Sequence, residues 1–282
     1  MKDNLVIRSM RKDELDYAIE LAANEGWNPG LNDASSFYSA DSDGFLIGLL
    51  NDKPIGCISA VSYQKKFGFI GFYIVLQEYR GKGYGLQLWN AAIEKLKGMN
   101  IGLDGVIAQQ ENYKRSGFKF AYSNIRYQWQ NVHHEYDIRD IFNGSTFPFD
   151  RISRYDKQFF PADRSKFLKN WINMPDSFSS VQKCGSEISG LGVIRKCRVG
   201  YKVGPLFADD SKIAENIFLS LTNNVEEGKL IFLDVPEINE RAMAIASKYN
   251  MRNIFGTARM YTGKIPEISV GRTYGVTTFE LG

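Results

Sequence analysis

Arg80-Gly81-Lys82-Gly83-Tyr84-Gly85 stands between an apolar run, Phe67–Leu76 (FGFIGFYIVL), and a stretch over Leu86–Lys97 with Leu88, Ala91, Ala92 and Leu96 on one side. The run predicts a strand buried on both faces, and the helical spacing predicts a helix after it. Three glycines at alternate positions let the backbone turn sharply and approach a ligand without Cβ clashes. Their N–H groups, with those of the helix's first turn, can point at one anion, and the helix dipole adds to the attraction. Arg80 and Lys82 supply compensating charge. The physics is that of a diphosphate cradle.

Known cradles differ in spacing. A P-loop needs G-x-x-x-x-G-K-[ST], and here Gly83 follows Lys82, so that pattern fails. In the dinucleotide fingerprint G-x-G-x-x-G, Gly81 and Gly83 fit but the third position is Leu86. Asp104, on the next predicted strand, can stand for the ribose-binding acid, so that reading stays open. A Gly-rich turn with no ligand is a further alternative. The six residues match in full [RQ]-x-x-G-x-[GA], and so the segment resembles the coenzyme A loop of the GNAT acyltransferase superfamily.

The resemblance extends beyond the loop. Val75-Leu76-Gln77-Glu78-Tyr79-Arg80 follows the usual V-x-P-x-x-R form with Gln77 in place of Pro, and Tyr113-Lys114-Arg115-Ser116-Gly117-Phe118 matches Y-x-x-x-G-F. It implies acetyl-CoA as acyl donor, held by Arg80, Gly81, Lys82, Gly83, Tyr84 and Gly85. It also implies that backbone groups of Ile74 and Val75 orient the thioester, and that Tyr113 protonates the leaving thiolate. A phenol near pKa 10 can do so if its O–H reaches the sulfur. The alternative is that Tyr113 only packs under the Gly117-Phe118 turn.

Working outward, Asn4–Arg8 reads as a strand, Lys12–Asn24 and Asn32–Ala40 as helices, and Gly44–Leu50 with Pro54–Tyr63 as a hairpin. Ile101–Ile107 and Lys119–Trp129 read as strands around a helical turn at Glu111–Arg115. Residues 131–148 lose apolar periodicity and are expected to link two domains, 1–130 and 149–282. In the second, helices are expected at Asp163–Trp171, Ser211–Asn223 and Glu240–Tyr249. Strands are expected at Ile188–Lys196, Arg198–Phe207, Lys229–Val235, Phe255–Tyr261 and Tyr274–Leu281. The expectation is α/β (α+β): two GNAT-like mixed-sheet domains in tandem.

The second half resembles the YitH/HolE-type GNAT domain at Val203–Asp210, Arg259-Met260-Tyr261 and Gly275–Gly282. Asp209 and Asp210 put two carboxylates where a diphosphate would sit, so this domain is expected to shape the acceptor site and bind no coenzyme A.

Charge and scarce residues exclude other classes. Thirty-five basic against 32 acidic residues leave +3, too balanced to point to nucleic acid or an anionic membrane. Three cysteines without a C-x-x-C pair argue against a disulfide framework and fit a reducing, cytoplasmic setting. Two adjacent histidines, His133 and His134, cannot supply a three-His zinc site, and no metal is expected. The start shows no signal-peptide pattern and no window long and apolar enough to span a membrane.

On the acceptor side, Trp27 is a candidate to stack on an amine cation and Glu25 to pair with it, against plain core-filling and helix-end roles. Gly282 is a third candidate, through a terminal carboxylate brought to the site by an apolar final strand. The function expected is transfer of an acetyl group to a primary amine of a small molecule, by direct attack in a ternary complex. The rivals are a non-catalytic acyl-CoA-binding protein and an N-acyltransferase for longer acyl chains.

Overall fold

Residues 4–282 are described by a computed structural model. β1 (Leu5–Ser9) leads through a short 3-10 turn into α1 (Leu15–Asn24), whose buried Leu15, Ala18, Ile19, Leu21 and Ala22 recur at helical spacing. Gly26, at φ +77°, ends that helix. After α2 (Asp33–Ala40), β2 (Phe45–Leu50) and β3 (Lys53–Tyr63) form a hairpin. Its turn residues Asn51 and Asp52 both have positive φ, as a two-residue hairpin loop requires.

Next come β4 (Phe67–Val75), α3 (Tyr84–Lys95), β5 (Asn100–Val106), α4 (Gln110–Arg115) and β6 (Lys119–Gln130). The second half runs β7 (Ile141–Asn143), α5 (Phe149–Asp156), α6 (Ser165–Trp171), β8 (Ser177–Cys184), β9 (Glu187–Lys196) and β10 (Tyr201–Ala208). It ends with α7 (Ser211–Thr222), β11 (Leu230–Pro236), α8 (Glu240–Lys248), β12 (Arg252–Tyr261) and β13 (Thr273–Gly275).

All the strands join one mixed sheet, in the order β1-β2-β3-β4-β5-β12-β6-β11-β10-β9-β8-β7, with β13 on β10. The halves exchange strands. β12, from the second half, inserts between β5 and β6, pairing Arg259 with Asp104 on one side and with Tyr122 on the other. β6, from the first half, pairs with β11 from Leu230 to Pro236. The mixed α/β reading holds, as one continuous sheet.

The junction is packed as a core. Phe37 of α2 stacks on Trp171 and Phe167 of α6, at 5.8 and 6.5 Å. Three buried ion pairs cross it: Arg195–Asp33 at 2.8 Å, Arg126–Asp234 at 2.6 Å and Arg259–Asp104 at 2.6 Å. Burial alone would raise the Asp234 carboxyl, but the Arg126 guanidinium outweighs it and holds that carboxyl below its usual range.

Three expectations need correction. The segment 131–148 contains a strand, β7, which extends the sheet beside β8. α5 and β8 are regular elements where the sequence pattern points to none. The closing strand is confined to Thr273–Gly275, and residues 276–282 leave the sheet and run toward the first half.

Candidate active site

The site begins where two parallel strands part. β4 and β5 pair from Phe67–Asn100 to Ile70–Leu103, and no further. A register shift in the β3–β4 ladder between Cys57 and Ser59 leaves Phe72 bulged, at φ +47°. Beyond it, β4 and β5 diverge and a cleft of about 430 Å³ opens. Ile74 and Val75 line one wall, Gly105 and Val106 the other, and Arg80, Gly81 and Gly85 are in the lining.

The cradle has the backbone that its glycines predict. Gly81 and Gly83 have φ of +75° and +85°, and a Cβ on either would meet nothing within 4 Å. Gly83 is the N-cap of α3, so the first-turn N–H groups have no intrahelical acceptor. This open, donor-lined turn fits the diphosphate of an acyl-CoA. At Gly85 a Cβ would lie 2.8 Å from Tyr73 Oη. Lys82 reaches over the Tyr79 ring at 5.7 Å, and Tyr84 is buried. Lys82, Gly83 and Tyr84 belong to the turn without being part of the cleft lining.

Arg80 and Glu25, expected at opposite ends of the reaction, meet. Arg80 Nη2 pairs with Glu25, and Arg80 Nε donates to Val75 O at 2.7 Å. Glu25 thus lines the cleft beside the Gly-rich turn. Trp27 lines the cleft, and its carbonyl accepts from Arg126 Nη1 at 2.8 Å.

Tyr113, on α4, also lines the cleft. Its ring packs on Trp89 with centroids 5.6 Å apart and lies against Gly105, where a Cβ would fall 2.1 Å from it. Burial, with Tyr73 nearby, pushes the phenol up to about 12, so it holds its proton throughout the neutral range. The ring packs, and the residue also lines the cleft.

Gly282 is elsewhere. Its carbonyl oxygen accepts from Arg164 Nη1 at 2.9 Å, and Tyr63 Oη holds Leu281 O at 3.0 Å. The cleft lining from this segment comes two and three residues earlier, at Glu280 and Phe279. The expected strand would have delivered its end to the cleft. Instead the chain turns after β13 and lays Glu280 O against Gly71, where a Cβ would come within 2.2 Å.

Sequence reasoning missed the wall opposite the cradle: Arg126, Phe255, Thr257, Phe279 and Glu280. Thr257 Oγ1 is buried there without a hydrogen-bond partner. The exchange of β12 brings in Phe255 and Thr257 beside Arg126 of β6, the segment after β13 brings in Phe279 and Glu280, and no local pattern signals a pairing across more than 120 positions. The histidines lie apart: His133 Nε2 is 2.7 Å from Val225 O, and His134 stacks on Trp129. Asp104 is fully engaged by Arg259 and Asn124. Among the described residues no group of three or more His, Cys, Asp or Glu is placed to hold a metal ion, and no helix is long and apolar enough to cross a membrane.

The second half repeats the parallel pair in β10 and β11, aligned from Tyr201–Ile231 to Val203–Leu233. Its opening is filled from within. β13 pairs with β10 at Leu206–Gly275, and Val276 N donates to Asp234 O at 2.8 Å. A Cβ on Gly204 would lie 2.5 Å from Val276 O. At the start of α7, Asp210 caps the helix by accepting from Ile213 N at 2.9 Å, and Asp209 pairs with Arg272. The place of an anion is taken by the chain's own carboxylate.

Two such units, one open and one plugged, define a tandem acyltransferase, and the chain belongs to the GNAT superfamily, whose members use acyl-CoA donors. Residues 8–118 match the acetyltransferase (GNAT) family, and residues 152–275 match an acetyltransferase (GNAT) domain. Over 265 residues the chain is 31% identical to holothin acyltransferase of Pseudoalteromonas sp. (strain SANK 73390), covering 93% of this chain and 90% of that protein. An uncharacterized protein of Caenorhabditis elegans is 25% identical over 213 residues, 69% of this chain and 68% of its own. The fold is shared with a putative acetyltransferase from Pyrococcus horikoshii, at TM-score 0.84 and 21% identity over 99% of this chain and 96% of that one. It is shared also with a tandem GNAT protein from the clavulanic acid biosynthesis pathway, at TM-score 0.65 and 9% identity over 93% and 100%.

Proposed function

We propose that the first half transfers an acetyl group from acetyl-CoA to a primary amine of a small molecule, by direct attack within a ternary complex. The observation that carries this reading is the divergence of β4 and β5 past Ile70 and Leu103 beside the open Gly81–Gly83 turn. The donor supplies an activated thioester carbonyl and a thiolate leaving group. Backbone N–H groups of Gly81, Gly83, Tyr84 and Gly85 hold its diphosphate, with charge from Arg80 and Lys82. Backbone groups of Ile74 and Val75 orient its thioester arm. Tyr113 Oη holds the proton destined for the sulfur. The filled opening between β10 and β11 supports one donor per chain, and the second-half residues in the cleft lining, Phe255, Thr257, Phe279 and Glu280, support a part for that half in the acceptor site. In this reading residues 1–130 carry the chemistry and 149–282 complete the acceptor pocket.

The relative named for holothin makes holothin one acceptor to try, and its naming as an acyltransferase favours trying longer acyl groups too. The test is thiol release with acetyl-, butyryl- and octanoyl-CoA against holothin, simple amines, polyamines and amino acids. Amine-dependent release that is fastest with acetyl-CoA supports the proposal. A faster rate with a longer acyl-CoA moves the donor to that class. Donor binding without release under any amine leaves an acyl-CoA-binding protein.

A further inference from the structure

We infer that Asn28 and Lys202 are positioning residues for the proposed transfer: together they tie loop 26–31, with Trp27 of the cleft lining, to the second half. This rests on the acyl-transfer reading above and names what holds one wall of its site.

Loop 26–31 joins α1 to α2, and the turn between β9 and β10 lies against it. Leu31 N donates to Lys196 O at 3.0 Å, Arg198 N donates to Pro29 O at 3.2 Å, and Gly30 faces Cys197 in an antiparallel bridge. The Asn28 side chain completes the junction: Nδ2 donates to Val199 O and Val199 N donates to Oδ1, both at 2.9 Å. A side-chain amide both donates and accepts, as the facing Val199 backbone requires. Asn28 also sits at φ +53°, a left-handed backbone that asparagine tolerates better than most residues.

One residue earlier, the Trp27 carbonyl is held by two cations. Arg126 Nη1 donates to it at 2.8 Å and Lys202 Nζ at 3.4 Å. A carbonyl oxygen has a lone pair for each. Lys202, on β10, is 2% exposed, and this carbonyl is the hydrogen-bond acceptor of its ammonium among the described residues. Its charge sits among Arg126, Asp234 and Glu280. Burying an ammonium is costly unless it is hydrogen-bonded, and a methionine would fill a similar length without that cost. What the lysine adds is its bond to a residue of the cleft lining.

The Trp27 side chain packs against the core that joins the halves. With its carbonyl and the next residue fixed to the second half, this part of the wall is set before a ligand arrives. An acceptor then binds without ordering the loop, whereas a freed loop adds that conformational entropy to each binding event. The effect belongs in KM for the amine: once bound, the reacting groups meet as before, so kcat holds. Donor binding is insulated, because Glu25, before the loop, is held by Arg80.

The experiment compares the parent with Asn28→Gly, Asn28→Asp and Lys202→Met. The Gly variant keeps the backbone conformation and loses both bonds to Val199, and the Asp variant keeps the acceptor for Val199 N. Amide hydrogen exchange over residues 27–31, melting temperature and acetyl-CoA affinity by calorimetry are measured for each. Steady-state constants are taken with acetyl-CoA and whichever of holothin, propylamine, spermidine and glycine the parent uses best. In the free parent the loop is expected to exchange slowly, with no further slowing when amine is added. Asn28→Gly should speed that exchange at least about tenfold and raise KM for the amine about fivefold. Its kcat and donor affinity should stay within about twofold. Asn28→Asp should fall between the two, and Lys202→Met should raise KM in the same way. Should Lys202→Met melt early, the partly exposed Asn28 pair decides. Fast exchange in the parent, an unchanged KM in Asn28→Gly, or a fall in kcat and donor affinity along with melting temperature overturns the inference. A donor-bound parent that uses none of the amines would strike the acyl-transfer reading, and this inference with it.

Discussion

Tyr113 packs in the core and lines the cleft at once, and its proposed role as proton donor can be separated from its packing. Its ring fills the space that Gly105 leaves without a Cβ, and burial keeps the phenol protonated. Tyr113→Phe keeps the ring and removes the proton, so turnover should fall at least about tenfold while the dissociation constant for acetyl-CoA stays within about twofold. The sign of the pH effect follows from the raised pKa. A group pushed up to about 12 loses its proton only on approach to that pH. Deprotonation of Tyr113 should therefore cause no fall in kcat between pH 7 and 10, and a steady decline there that disappears in the Phe variant contradicts the assignment. Glu25 makes a second residue-scale case. Its pair with Arg80 is about half exposed, so it is worth at most about 1 kcal/mol. In the proposed reading a donor diphosphate competes with Glu25 for Arg80. Glu25→Gln should then tighten coenzyme A binding by up to about fivefold, and weaker binding would show that Glu25 supports the loop instead.

At the scale of elements, what the sequence disclosed follows from how local the physics is. The cradle was legible because a backbone at φ +75° and +85° demands glycine, and alternate glycines before an amphipathic run suit a tight, donor-lined turn. α5 was hidden because its segment, FDRISRYD, is half charged and its Phe149, Ile152 and Tyr155 sit among polar residues. β8, SFSSVQKC, hides behind three serines, two of which bury their hydroxyls in bonds to Ile172 O and Ser220. The insertion of β12 between β5 and β6 has no local signature, since strand pairing specifies faces and register, not partners. With it went Phe255 and Thr257 of the cleft lining. The exchange has a direct consequence: residues 1–130 alone would leave β5 without β12 and β6 without both its partners. That fragment should aggregate or stay unfolded, as judged by circular dichroism and gel filtration. A monomeric fragment with native-like spectra would mean that the first half closes its own sheet.

Across the whole molecule, two copies of one architecture carry different fillings. In the first, the gap between parallel strands is left open beside an unencumbered helix terminus. In the second, β13 and Val276 occupy the gap, and Asp210 caps the helix. The same segment then continues to the first half, where Phe279 and Glu280 form part of the cleft. The second unit thus fills its own opening and lends residues to the lining of its neighbour's cleft. Three buried ion pairs and a shared core join the units, so unfolding should be a single transition. Two separable steps in urea would show that the junction is looser than its packing implies. The open and the filled unit together imply one donor site per chain, at the Gly81–Gly83 turn. Titration calorimetry with acetyl-CoA tests it most directly, on the parent and on Gly83→Asp, whose carboxylate would enter the diphosphate space. A stoichiometry of one is expected for the parent, and no measurable binding to a folded Gly83→Asp. Two sites per chain, or unchanged affinity in the variant, would contradict it.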